Sequence, residues 1–123
     1  MASYETLPGL EHLYLEDSWV LGVYQSDASL SFDLEAVLTE QHPHWHPRKP
    51  GEAYAYRRIA LTFPAVRSVE WLSRGGPPAT DATGEKDWGN INIFVVHDDG
   101  TYELEGGWGH VRVASDAPQV GDR

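Results

Sequence analysis

Three histidines alternate along one short stretch of the chain, His42, His44 and His46 in the sequence HPHWHP. Proline follows His42 and His46 and favours extended geometry at both, so that side chains two residues apart project to the same side. Neutral imidazole binds zinc, nickel, copper and iron, and Glu52 adds a carboxylate nearby. These four residues predict a site for a divalent transition metal such as zinc or nickel. The alternative is a proline-stiffened loop in which the histidines are solvated and Trp45 packs.

The order H-x-H followed by glutamate, on a β scaffold, resembles the first metal-binding motif of the cupins. The resemblance covers about ten residues. The gap from His46 to Glu52 is longer than in that family, and the late histidines, His97 and His110, lack the proline–glycine setting of the second cupin motif. The resemblance implies a metal-dependent β-barrel enzyme that uses the histidine cluster. This is the alternative function.

Two further stretches combine glycine with polar residues. EGGWGH (105–110) is typical of a tight β connection in which Trp108 packs against glycine backbone, since no phosphate-binding helix with Lys, Ser or Thr follows it. TDATGEKDWGN brings Asp81, Glu85 and Asp87 together without the spacing of a calcium loop. With no cysteine, thiolate chemistry is excluded, and no Ser-His-Asp order, P-loop or Rossmann fingerprint is present.

The charge balance is strongly acidic, with nineteen acidic and nine basic residues and a formal net charge of −10. Such a surface repels a phosphate backbone, so we expect no nucleic-acid partner. It predicts either simple solubility or an acidic face that docks on a basic protein. We see no signal peptide and no apolar run long enough for a membrane, and we therefore expect a cytoplasmic protein.

Alternating apolar residues predict strands along most of the chain. Leu30, Phe32 and Leu34 alternate with polar residues, although a helix over 34–40 is also compatible with the sequence. The stretch 53–63 predicts a second strand with Arg57 as a misfit on the apolar side, and 91–106 predicts a hairpin. LEHLYLE and SWVLGVYQS predict an opening pair of strands, AVRSVEWLS one more, and GHVRVAS a last one with Val111 and Val113 on one side.

About eight short strands in 123 residues indicate an all-β fold, a single antiparallel two-sheet sandwich or partly open barrel. The stretch 74–90, rich in Gly, Pro, Asp and Thr, is interpreted as a long inserted loop in one domain spanning 1–123. A homodimer is compatible with this organisation, since most soluble oligomers are symmetric homo-oligomers.

Five tryptophans and six tyrosines are many for this length. Tyr54 and Tyr56 share the more polar side of their strand with Arg58, and they lie close in sequence to Trp45. Tyrosine, tryptophan and arginine are typical of binding surfaces, although aromatic residues also fill cores. These four residues predict a contact surface or, alternatively, a side covered by a second layer.

The stretch DWGNINIFVVHDDGTYELEGGWGHVRVAS resembles small uncharacterised bacterial domains, some of them near toxin–immunity loci. The resemblance covers about thirty residues and implies no catalytic residues. Together with the acidity it indicates a non-enzymatic, protein-binding or inhibitory module of immunity-like character.

Overall fold

Two antiparallel β-sheets packed face to face form the molecule in the computed structural model, which describes residues 1–80 and 82–122. Sheet A has the strand order β1-β8-β9-β10-β5, and sheet B has the order β11-β4-β3-β2. The strands are β1 (Ala2–Ser3), β2 (Leu13–Gln25), β3 (Leu30–Leu38), β4 (Ala55–Phe63), β5 (Ser68–Arg74), β6 (Ala79–Thr80), β7 (Lys86–Asp87), β8 (Ile93–Val96), β9 (Tyr102–Gly106), β10 (Gly109–Ala114) and β11 (Gln119–Asp122). A 3-10 turn covers Tyr4–Thr6. The all-β prediction is confirmed in its sandwich form, since the sheets of the described chain do not close into a barrel.

The alternation along β3 and β4 builds the sheet B side of the core. Leu30, Phe32 and Leu34 are fully buried, and the region from residue 34 continues as strand and not as helix. Arg57, the misfit of β4, is only partly buried because it reaches the edge strand β11, where its guanidinium pairs with Asp122 at 2.7 Å. The edge of the sheet therefore accommodates an arginine on the apolar side.

The predicted opening pair of strands is wrong, because both segments belong to the single strand β2. The pairing of β2 with β3 shifts register between Tyr14 and Trp19. Ser18 lies buried in this irregular stretch, where its hydroxyl donates to the Tyr14 carbonyl at 2.8 Å and accepts the Val37 amide at 2.9 Å. The side chain replaces a lost backbone bond, so the strand bends without ending.

In sheet A, the last two long strands follow the predicted pattern. Val111 and Val113 are fully buried, and EGGWGH is the β9–β10 connection. Trp108 lies in the core with its ring 4.9 Å from that of Phe32, and its indole N–H donates to the Asn90 carbonyl at 3.0 Å. The tryptophan at this turn therefore links the two sheets.

The stretch 74–90 contains the small β6–β7 hairpin, and its last residues join sheet B. The Trp88 amide donates to the Val20 carbonyl at 2.9 Å, and the Val20 amide donates to the Gly89 carbonyl at 2.8 Å. This end of the predicted inserted loop is thus fixed beside β2. Within the described residues, no helix has the length and apolar character needed to cross a bilayer.

Candidate functional site

The histidine stretch leaves sheet B after β3 and returns to β4, and its imidazoles do not converge on one point. The His46 ring nitrogens face two backbone carbonyls, Pro47 at 3.0 Å and Tyr56 at 3.4 Å. The Glu52 carboxylate accepts the Lys49 amide at 3.2 Å. Two of the four predicted ligands are thus turned toward the loop itself.

The other two histidines meet a third that the sequence pattern missed. His42 and His44, with ring centroids 5.7 Å apart, line a hollow of about 440 Å³ that His12 and Arg57 also line. Burial first, then the neighbouring His44 and Arg57, lower the pKa of His42 below its usual value. The described residues nevertheless contain no set of three His, Asp or Glu side chains placed to hold a metal ion. The metal site stays a prediction from the sequence.

A different cluster lies on the outer side of sheet A. Glu103 bridges His97 and His110, whose Nε2 atoms lie 2.6 Å from its two carboxylate oxygens. Hydrogen bonds from His110 and then His97 lower the pKa of Glu103. All three side chains are about three-quarters buried. Cross-strand register produces this bridge, since β9 lies between β8 and β10, so histidine spacing along the chain did not reveal it.

The predicted binding residues Trp45 and Tyr54 come together on the outer side of sheet B. With Tyr14 they line a hollow of about 440 Å³, whose walls also carry Asp17, Glu40 and Arg48. The Tyr54 hydroxyl donates to the Asp17 carboxylate at 2.7 Å, and this bond is the first cause that raises the pKa of Tyr54. We call this site the Trp45 hollow. It combines exposed ring faces with carboxylates, which is the composition of a ligand or side-chain pocket.

Tyr56 and Arg58, the other two predicted binding residues, are not among the residues that line this hollow. The Tyr56 ring is partly buried and packs edge-on against Tyr54, with centroids 6.2 Å apart. The Arg58 guanidinium pairs with Glu85 of the β6–β7 region at 2.7 Å. Of the predicted surface, Trp45 and Tyr54 present exposed rings to solvent, whereas Arg58 is paired with Glu85.

Exposed aromatic rings continue along the same side of sheet B, in residues that the sequence analysis did not single out. Trp19 is 39% exposed in a second hollow that Glu35, Glu85, Lys86 and Asp87 also line. Tyr24 is 54% exposed beside a third hollow that contains Asp33. Trp19 and Tyr24 lie on β2, whose register with β3 shifts twice, so a simple alternation of residues did not place them on one side of the strand. We call the exposed rings on this side, Tyr14, Trp19, Tyr24, Trp45 and Tyr54, the aromatic face.

The ring of Tyr24 has a defined place on this face. A Cβ atom at Gly22 would lie 2.5 Å from the Tyr24 hydroxyl oxygen and 2.8 Å from Cζ. The ring therefore lies across the glycine backbone and covers it. One side of the ring rests on the sheet, and the residue remains half exposed.

Comparison of the chain with protein-family models, with curated proteins and with solved structures finds no match.

Proposed function

We propose that this protein is a non-enzymatic binding module that attaches to a basic protein through the aromatic face of sheet B. The observation that carries the proposal is the distribution of exposed rings. All five tyrosines and tryptophans that are among the exposed large apolar residues of the described chain belong to this one face. Exposed tryptophan and tyrosine gathered on one side are typical of interaction sites.

The charge of the chain supports a basic partner. In the first two hollows carboxylates outnumber cations, with Asp17 and Glu40 beside Arg48 in one and Glu35, Glu85 and Asp87 beside Lys86 in the other. With a net charge of −10, long-range attraction speeds encounter with a cationic surface, and the rings then supply the short-range contacts. Inhibition of such a partner, in the manner of an immunity protein, is the form of this function that we favour.

A photo-crosslinking pair tests the proposal in cells that produce the protein. A benzophenone amino acid replaces Tyr24 on the aromatic face or, as the control, Ile93, which is 41% exposed on sheet A. We expect a basic protein to be crosslinked from position 24 and not from position 93. Crosslinks from position 24 to a second copy of the chain, or no crosslinks from position 24, would contradict the proposal.

The identified partner is then purified and its affinity measured against variants. We expect Trp19→Ala and Tyr24→Ala each to weaken binding about tenfold or more, the effect of losing an interface hot spot. The exposed apolar residues of sheet A, Leu72 and Ile93, provide the matched controls, and their alanine variants should change the affinity less than twofold. Equal losses on both sheets would place the interface elsewhere.

A further inference from the structure

We propose that the Trp45 hollow receives an arginine side chain of the partner protein, with the guanidinium group against the exposed rings and facing the carboxylates. This inference rests on the proposed function and names the chemistry at one end of its interface. It follows from the rings and the charges of this hollow.

The rings supply the first half of the recognition. Tyr14, Trp45 and Tyr54 are 46%, 40% and 42% exposed and line the same space. A cation over the face of tryptophan or tyrosine is attracted by the ring quadrupole, most strongly with tryptophan. The chain already uses this contact once, since the Arg74 guanidinium carbon lies 4.1 Å above the Trp71 ring. Trp45 offers the same kind of ring to a partner.

The carboxylates supply the second half. Asp17 accepts the Tyr54 hydroxyl through Oδ2, which leaves its other oxygen outside that bond. Glu40 lines the hollow, and within the described part of the chain its side chain has no hydrogen-bonded or ionic partner. A planar guanidinium matches both needs, because it stacks on rings and also donates in a fork to carboxylates, whereas a lysine ammonium is compact and strongly hydrated.

Arg48 lines the same hollow and makes the charge of the ligand testable by sign. The walls carry two carboxylates, which attract a bound cation, and this one arginine, which repels it. Removal of the Arg48 charge must strengthen the binding of a cation and weaken the binding of an anion. Removal of the Glu40 charge must do the opposite.

The test uses the folded full-length chain, labelled with ¹⁵N, and N-acetyl-arginine methylamide as the probe. We expect the Trp45 indole N–H resonance to shift with a dissociation constant on the order of millimolar at low salt, the affinity open to one side chain. The citrulline analogue, which has nearly the same shape without the charge, should produce no saturable shift. The lysine analogue should bind at least about threefold more weakly.

Three variants check the assignment. Glu40→Gln should weaken the probe about two- to threefold and Arg48→Gln should strengthen it by a similar factor, as expected for one exposed charge several ångströms away. Trp45→Ala should abolish the shift at neighbouring amides, whereas Trp19→Ala, on the second hollow, should not. Tighter binding with Glu40→Gln, weaker binding with Arg48→Gln, equal binding of the citrulline analogue, or equal binding of the lysine analogue would overturn the inference.

The outcomes also separate this inference from the proposed function. A partner that crosslinks at position 24 and loses affinity with Trp19→Ala, in a protein that does not bind the arginine probe, refutes the arginine site and leaves the interface in place. A probe that binds as expected, in a protein without crosslinks from the aromatic face, refutes the protein partner and leaves only a site that binds the arginine side chain.

Discussion

Removal of one buried hydroxyl, by Tyr4→Phe, should destabilise the fold by about 2 kcal/mol. Tyr4 is 4% exposed, and its hydroxyl joins the N-terminal turn to β2. It donates toward the Leu13 carbonyl at 3.3 Å and the Glu16 carboxylate at 2.6 Å, and it accepts the Leu15 amide at 3.2 Å. Phenylalanine keeps the ring stacked on Phe94, at 5.7 Å, and loses only these bonds.

The magnitude follows from what each partner can do afterwards. Glu16 is exposed, so its carboxylate can bond to water in place of the Tyr4 hydroxyl, and the loss of this bond costs little free energy. Leu15 is fully buried, and its amide is left without the hydroxyl acceptor. A buried donor left unsatisfied costs about 1–3 kcal/mol, which sets the expected value. With an unfolding entropy of about 2.1 cal/mol/K per residue, a chain of 123 residues should lose roughly 8 °C in melting temperature.

The effect should also depend on pH in a defined direction. Burial, followed by the hydrogen bond to Glu16, raises the pKa of Tyr4 well above its ordinary value of 10. Above that value the unfolded tyrosine ionises while the folded one resists, so the stability from Tyr4 is complete below about pH 10 and falls as the pH rises further. The difference between wild type and Tyr4→Phe should therefore shrink in alkali.

Urea unfolding at pH 7 and pH 10.5 measures both quantities. Tyr24→Phe is the matched control, because Tyr24 is 54% exposed, and its variant should change stability by less than about 0.5 kcal/mol. If Tyr4→Phe changes the free energy of unfolding by no more than this control, or if the difference grows in alkali, the hydroxyl does not have the role described.

Two further substitutions test sheet A. Glu103→Gln removes a carboxylate whose pKa is lowered by its two histidine donors. The carboxylate therefore stabilises the fold above its unfolded pKa of about 4.3, and this contribution is lost as the pH falls further. We expect the variant to have a lower free energy of unfolding in urea at pH 6 and to approach wild type below pH 4, whereas a difference that stays constant with pH would refute the bridge. Gly106→Ala brings a methyl group against the Trp108 indole and the Asn90 carbonyl and should reduce stability by about 1–3 kcal/mol in thermal unfolding. Gly121→Ala, which has open space around it, is the control and should change stability by less than about 0.5 kcal/mol. Similar losses for both variants would refute the close packing at Gly106.

The sequence predicted the strands whose apolar residues alternate without interruption. In β3 the alternation identifies the buried side, because one sheet face meets the core and the other meets solvent. The same rule is ambiguous in the run of apolar residues at β8. Ile93, which alternates with Ile91, is 41% exposed, whereas Phe94 is 3% exposed, because Phe94 lies opposite the buried Leu104 of β9. The pairing of β8 with β9 decided which residues of β8 face the core, and this pairing cannot be predicted from the sequence of β8 alone.

The candidate site was predictable only in part for the same reason. Trp45 and Tyr54 are close in sequence, and their types indicated a contact surface. Tyr14 completes the hollow from β2, beyond a stretch of irregular register, and no local pattern joins it to them. The histidine stretch shows the converse. Its spacing allowed convergence, but the loop turned the His46 nitrogens to its own carbonyls and to the next strand.

The two outer faces of the sandwich differ in their exposed aromatic rings, and this difference is our reason for proposing sheet B as the binding side. On sheet A, Glu103 holds two histidines and Arg112 holds Thr101 and Asp99, at 3.0 and 3.1 Å. A partner there would have to break these contacts before making its own. On sheet B the Tyr54–Asp17 and Arg58–Glu85 contacts also join polar groups, but the aromatic face adds five exposed rings whose contact with water is unfavourable. The basic protein that we propose would bury these rings, whereas the exposed large apolar residues of sheet A in the described chain are Leu72 and Ile93.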